Sequence, residues 1–364
     1  MKRMILSLLL AMCLLLTGCG TYVSVTPHRE QRQQAQSDVA AAADYLELLS
    51  AVRATVASGN EVVTITVADY PQDALEWGIS RAILYAQSSD PIGAYAVEEI
   101  AYELGTRNGV PAVSVSIRYL HNRSEIQRIR KASGMERAES IVSDALESYE
   151  SGVVLLIEDY KTRDFTQFVQ DYAQMHPENV MEIPMVSQMI YGVGRNRVVE
   201  LIFTYQTSRD SLRRMQGQVK PVFDAASLYV SGDGEDYQKF SQLYAFLMER
   251  FEYKLETSIT PSYSLLRHGV GDSRAFATVY AAMCRSAGLE CLVVTGTCSG
   301  EPRSWNMVKD NGVYYHVDLL HEQGGFREYT DAQMSSYVWD YTEYPACNGR
   351  NRVEAASGQQ TEAE

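Results

Sequence analysis

Ser273, Arg303 and Asp318 pose the chemical question in this chain, because each falls where a local element holds it. Asp272 precedes a helical run in which Phe276, Val279, Tyr280 and Met283 recur at helix spacing, and Gly288 ends the run. Ser273 therefore stands at a capped helix start. Cys291 to Thr295 reads as a short apolar strand, and Ser304 to Val308 and Val313 to Leu319 flank the hairpin signal Lys309-Asp310-Asn311-Gly312. If Val308 pairs with Val313, Arg303 lies opposite Asp318, and a slip of two in the pairing sum keeps both on one strand face. The expectation is an Arg–carboxylate pair, either a buried salt bridge that closes the region or a fork that holds an anion. His316 alternates in phase with Asp318 and is weighed as a base, as are His321 and His268. Trp305, Tyr314 and Tyr315 could line a cleft for a sugar ring or peptide, or could be cross-strand packing. The candidate ligand cleft is thus Ser273, Arg303, Trp305, Tyr314, His316 and Asp318.

The order of these pieces resembles the transglutaminase-like superfamily, whose core is papain-like. Its pattern is Gly-x-Cys at a helix start, then His-Ala-Trp-Asn, then Trp/Tyr-Tyr-x-x-Asp, with Cys as nucleophile, His as base and Asp as orienter. The resemblance puts Ser273 at the Cys position, Arg303 at the His position and Asp318 at the Asp position. Ser304 replaces Ala, while Trp305, Asn306, Tyr314, Tyr315 and Asp318 match, and the likeness runs from about Asp236 to Tyr344. The fold class it implies is α+β, a papain-like, transglutaminase-like C-terminal domain. Two changes undo the chemistry. A thiol near a helix N-terminus and a His becomes a thiolate, but a serine hydroxyl needs a neutral base in contact. Arg cannot accept a proton, since its pKa exceeds about 12. Ser273, Arg303 and Asp318 are therefore read as vestigial triad positions with no expected activity. The expected role is binding of a peptide, protein or cell-wall component. The alternatives are non-standard acyl transfer or amide hydrolysis on Ser273, and a structural role in an envelope assembly. No cofactor and no metal is expected, since no Cys-x-x-Cys or clustered His set is present.

Around this domain the chain reads as follows. Residues 1–18 have signal-peptide form, with Lys2 and Arg3 before an apolar run from Ile5 to Leu16. Leu16-Thr17-Gly18-Cys19 resembles the bacterial lipoprotein box, which makes Cys19 the lipidated N-terminus and the protein extracytoplasmic and lipid-anchored to the bacterial membrane. Without Lys2 and Arg3 the chain has 30 basic and 46 acidic residues, a charge of −16. That excludes nucleic acid and a polybasic membrane contact. Cys284, Cys291, Cys298 and Cys347 remain, either as disulfides, with three possible pairings, or as buried thiols.

Residues 19–36 read as a tether and 37–61 as a helix, running from Ser37 to Ala57 before Ser58-Gly59-Asn60. An internal repeat follows. Val62–Tyr70 corresponds to Val153–Tyr160 and Val113–Tyr119 to Val199–Tyr205, and Arg123, Ile126, Arg128 and Ile129 match Arg209, Leu212, Arg214 and Met215. Each copy reads as strand, helical stretch, strand, long helix. The expected organisation is two α/β modules, 62–149 and 150–230, a transglutaminase-like domain at 236–345 and a disordered tail at 346–364.

Overall fold

Alternating apolar residues make the first strands. In β2 (Val62–Thr66) Val63 and Ile65 are buried, as are Val113, Val115 and Ile117 in β4 (Val110–Tyr119). The computed structural model describes residues 38–230, 232–255 and 258–349. The signal segment, Cys19, the tether and the tail from 350 onward lie outside the described residues. Those described form two compact units, one of residues 38–83 with 98–119 and the other of 84–97 with 120–349.

The first unit holds a four-stranded sheet in the order β1-β2-β4-β3. Its elements are β1 (Asp38–Ala41), α1 (Tyr45–Ser58), β2, the start of α2 (Leu75–Ser88), β3 (Val97–Arg107) and β4. The predicted helix over 37–61 is corrected here. Asp44 caps α1 by accepting from the Glu47 N–H, and residues 38–41 instead pair in parallel with β2. A four-residue strand carries too little alternation to be seen in sequence.

The second unit begins with the end of α2 and α3 (Pro91–Ala96), then continues at residue 120. A second four-stranded sheet has the order β5-β6-β8-β7, formed by β5 (Arg130–Ala132), β6 (Gly152–Ile157), β7 (Met185–Tyr191) and β8 (Arg197–Thr204). The helices with it are α4 (Arg123–Gln127), α5 (Met135–Glu147), α6 (Phe165–Met175) and α7 (Arg209–Tyr229). Both sheets set a short parallel strand beside β2 or β6, whose other neighbour, β4 or β8, is antiparallel. The boundary expected at 149 falls earlier. β5 pairs with β6, and Ala138, Ile141 and Val142 of α5 join the core of the second sheet, so residues 130–147 belong there. The long helix expected after Tyr119 is only the five residues of α4, while its counterpart α7 runs for 21.

The rest of the second unit is built on α10 (Ser273–Ser286), in which every residue from Ala275 to Cys284 is buried. Around it lie α8 (Asp236–Met248), β9 (Glu252–Tyr253), α9 (Pro261–His268) and β10 (Val270–Gly271), with β9 and β10 paired in parallel. Phe276, Val279, Tyr280 and Met283 of α10 share one core with Phe240 and Leu247 of α8, Leu265 of α9 and Phe223 of α7. A sheet in the order β13-β12-β11-β14 covers the other side, made of β11 (Cys291–Cys298), β12 (Glu301–Asp310), β13 (Val313–Val317) and β14 (Tyr337–Val338). Asn311 and Gly312 both take positive φ, 48° and 81°, so a two-residue turn joins β12 to β13.

The register differs by two from the simplest pairing. Val308 meets Tyr315 and Asp310 meets Val313, because the turn takes two residues rather than four. Alternation then puts Asn306 and Val308 toward α10 and Trp305 and Met307 on the opposite face. A strap from Tyr329 to Cys347 covers that second face. Tyr329 exchanges backbone hydrogen bonds with His316, Tyr337 and Val338 pair with β11, and Met334, Trp339 and Cys347 pack around Trp305. The domain thus extends through Cys347, past the boundary expected at 345. No helix among the described residues is long and apolar enough to cross a membrane.

Candidate functional site

Asp318 follows the last residue of β13, and its side chain is 1% exposed. Oδ1 accepts from Arg303 Nη2 at 3.0 Å and from the Leu320 N–H at 3.0 Å. Oδ2 accepts from Arg303 Nε at 3.0 Å, Arg303 Nη2 at 2.8 Å and the Tyr337 hydroxyl at 2.6 Å. Five hydrogen bonds exceed the roughly four lone-pair directions of a carboxylate, so bonds are shared and no acceptor capacity is left to orient a base. Burial acts to lower the Arg303 pKa, but Asp318 outweighs it and the net shift is upward. Burial first, then Asp318, pushes the Tyr337 phenol up, so it remains a donor.

Ser273 occupies the first turn of α10, where Asp272 accepts from the Ala275 N–H at 2.8 Å. Its Oγ accepts from the Ser304 backbone N–H at 3.2 Å. Among the described residues no His or carboxylate hydrogen-bonds to Ser273, and none joins it to Arg303. The structure therefore brings Arg303 and Asp318 together and sets Ser273 against the backbone beside Arg303.

Trp305, read as either cleft lining or cross-strand packing, is enclosed, and so is His316, expected in the candidate cleft. Each is 0% exposed, and the Trp305 Nε1–H donates to His316 Nδ1 at 3.0 Å. Tyr337 and Trp339 pack edge-on against the Trp305 ring. Tyr314 lies near the turn end of the hairpin, where its hydroxyl bonds the Glu290 carboxylate and Lys309 sits over its ring. The open space is elsewhere. A cavity of about 360 Å³ lies beside Arg303, lined also by Tyr253, Glu301, His321, Ser336 and Tyr337. Sequence reasoning missed Tyr337, which comes from the strap and matches no element of the motif.

His316 Nε2 lies 2.9 Å from Asp331 Oδ1, and Asp331 Oδ2 accepts from the Cys347 N–H at 3.0 Å. Ligand atoms of His316, Asp331 and Cys347 lie within 4.8 Å of one another. The hydrogen bonds disfavour a metal there. Indole N–H only donates, so Nδ1 must accept and the neutral ring carries its proton on Nε2, facing Asp331. Nε2 would have to lose that proton to bind a cation. Both ring nitrogens are thus engaged, Nδ1 by Trp305 and Nε2 by Asp331, and neither hydrogen-bonds to Ser273. All four described cysteines are free thiols. Burial pushes the Cys284 thiol well up and, with Asp331, raises Cys347 to about 12, so neither is a ready thiolate.

Residues 224–319 match the family model of the transglutaminase-like superfamily. The chain carries a transglutaminase-like domain. Among solved structures it is similar to a candidate cysteine protease from Cytophaga hutchinsonii, at 15% identity over 40% of this chain and 65% of that one, with a TM-score of 0.26. It is similar to a TGase at 9% identity over 67% of this chain and 69% of that one, with a TM-score of 0.28. It is also similar to the periplasmic domain of TgpA from Pseudomonas aeruginosa bound to ethylmercury, at 16% identity over 35% and 57% of the two chains, with a TM-score of 0.22. This chain thus spans just under two thirds of the Cytophaga protein's length. No curated protein matches the chain.

The Arg303–Asp318 pair generates a stability prediction. Removing one partner of a buried pair strands the other charge and costs roughly 3–5 kcal/mol, while replacing both with apolar residues costs much less. Arg303→Met and Asp318→Leu should each lower the denaturation midpoint clearly, and the double variant should recover part of the loss. Denaturant melts of the four proteins measure the coupling, and simple additivity would show that the pair is not an energetic unit.

His316 generates a pH prediction. Burial lowers its pKa from the ordinary 6.5, with the Asp331 contact opposing only in part. As pH falls below about 6.5 the unfolded chain takes up the proton more readily than the folded one. Stability should therefore be full above that pH and decline below it, until the folded ring also protonates. Urea midpoints between pH 7.5 and 5 should show the decline, and His316→Asn, whose amide does not titrate, should lessen it. An unchanged slope in that variant would exclude His316 as the source.

Proposed function

We infer that this chain is an extracytoplasmic lipoprotein whose transglutaminase-like domain no longer catalyses and instead binds a peptide or cell-wall component. One observation carries the loss of catalysis: the Arg303 guanidinium and the Tyr337 hydroxyl together occupy Asp318. Asp318 would orient the base in the family's arrangement, yet here it holds a permanent cation and a phenol. Ser273 at the nucleophile position faces a backbone N–H. The cavity beside Arg303 supports the binding role, since Tyr253 offers a ring and Glu301, His321 and Ser336 offer polar groups. Burial of Trp305 and His316 moves recognition away from the hairpin aromatics. That burial also favours a second reading, in which the domain is a structural part of an envelope assembly. Enzymatic acyl transfer on Ser273 is the third.

The full-length protein, purified in detergent, separates these readings. It should neither incorporate amines into glutamine substrates nor hydrolyse amides, and Ser273→Cys should not restore either activity, because Arg303 still takes no proton. It should sediment with purified peptidoglycan, and Tyr253→Ala or Glu301→Lys should weaken that association. Turnover or an acyl adduct lost in Ser273→Ala would establish the enzyme reading. Failure to sediment, with a normal fold, would favour the structural one.

Lipid attachment rests on Leu16-Thr17-Gly18-Cys19. Two acyl chains give stable anchoring where one is marginal. Cys19→Ser should release the protein from the membrane fraction or leave its precursor uncleaved. Unchanged processing and fractionation would refute the anchor.

A further inference from the structure

Glu182 is 3% exposed, in the loop between α6 and β7. Its Oε1 accepts from the Gln206 N–H at 2.5 Å and its Oε2 from the Thr207 N–H at 3.0 Å. Among the described residues no Lys, Arg or His forms an ion pair with it. A buried carboxylate is ordinarily given a counter-charge, because two amide hydrogen bonds only partly replace its hydration. Glu182 lines a cavity of about 230 Å³ that shares no lining residue with the one beside Arg303.

The other polar groups of this cavity are complementary in kind. Arg274 reaches it from the first turn of α10, is exposed, and has no partner among the described residues. Thr278 lies one turn further along the same helix face, and Ser262 comes from the first turn of α9. They are 7% and 4% exposed, and among the described residues neither hydroxyl has a hydrogen-bond partner. Met181 and Ile259 add an apolar wall. Among the described residues, the cavity therefore holds a buried carboxylate, a guanidinium without an ion-pair partner, two hydroxyls without hydrogen-bond partners and an apolar surface. Its volume is below the roughly 300–1,000 Å³ of drug-sized ligand sites, which favours a small molecule.

We propose that this cavity binds a free α-amino acid, with its ammonium on Glu182, its carboxylate on Arg274 and the hydroxyls of Ser262 and Thr278, and its side chain against Met181 and Ile259. A single anion would meet Glu182 and a single cation would meet Arg274, whereas a zwitterion satisfies both charges. The site is independent of the binding role inferred for the Arg303 cavity.

Isothermal titration of the full-length protein with L-alanine, D-alanine, L-leucine and L-methionine tests it. At least one should bind saturably, and N-acetyl and methyl-ester derivatives of that amino acid, each lacking one charge, should not. Arg274→Gln should weaken binding about tenfold or more, the loss of one charge-assisted contact, and Thr278→Val should weaken it less. Thermal melts without ligand check that both variants fold. Absence of saturable binding by all four amino acids would overturn the proposal. So would equal binding of the N-acetyl derivative, or wild-type affinity in Arg274→Gln. A ligand-free Arg274→Gln protein that is clearly destabilised would also overturn it, by showing that Arg274 serves as the counter-ion of Glu182.

Discussion

The Asp318 carboxylate governs the geometry of the transglutaminase-like domain. It stands just past β13, accepts the Arg303 fork from β12, and takes a phenolic proton from Tyr337 in the strap. Three stretches of chain that are distant in sequence thus converge on one buried charge. Such a group is costly to bury unless every acceptor position is used, and here every one is. The arrangement has a chemical consequence as well. A His in place of Arg303 could pass a proton, whereas a guanidinium with an upward-shifted pKa can only hold its place.

The strap makes this closure possible. Gly296 in β11 leaves room for it, since a Cβ there would collide with the Val338 carbonyl oxygen and approach the Trp305 ring. With β14 seated, Trp339 and Tyr337 pack on Trp305, and His316 is enclosed between Trp305 and Asp331. Residues that could line an open cleft become the centre of a small second core. The remaining access lies to the side of Arg303, where Tyr253 of β9 and His321 meet the strap.

On its other face the domain is continuous with the second sheet. Leu212, Val219 and Phe223 of α7 share the core of α10, and Tyr149 and Met181 join it from the segments around β6 and α6. Arg285 near the end of α10 pairs with Glu178 at 3.5 Å, a partly buried contact at the edge of the apolar packing. The cavity lined by Glu182 and Arg274 lies along this junction. One helix therefore supports two different environments: Ser273 meets β12, while Arg274 and Thr278 face the other way.

Local rules were legible in the sequence. Asp272 caps α10, Asn311-Gly312 turns the hairpin, and Phe276, Val279, Tyr280 and Met283 mark the buried helix face. These are short-range effects of backbone geometry and spacing. The residue types at Ser273 and Arg303 likewise settled which proton transfers they can perform, since that is a property of the side chain. Arg303 and Asp318 could be placed on one face without knowing the register, because a slip of two preserves strand parity. The chain alone did not reveal that Tyr337 would complete the carboxylate, that Trp305 and His316 would be enclosed, or that β5 would join the second sheet. Those outcomes depend on which distant surfaces bury each other, and residues 329–347 carry no periodic pattern that announces their partner. Tertiary packing made that choice, because only there can the cost of burying Asp318, His316 and the Trp305 N–H be offset by groups from elsewhere in the chain.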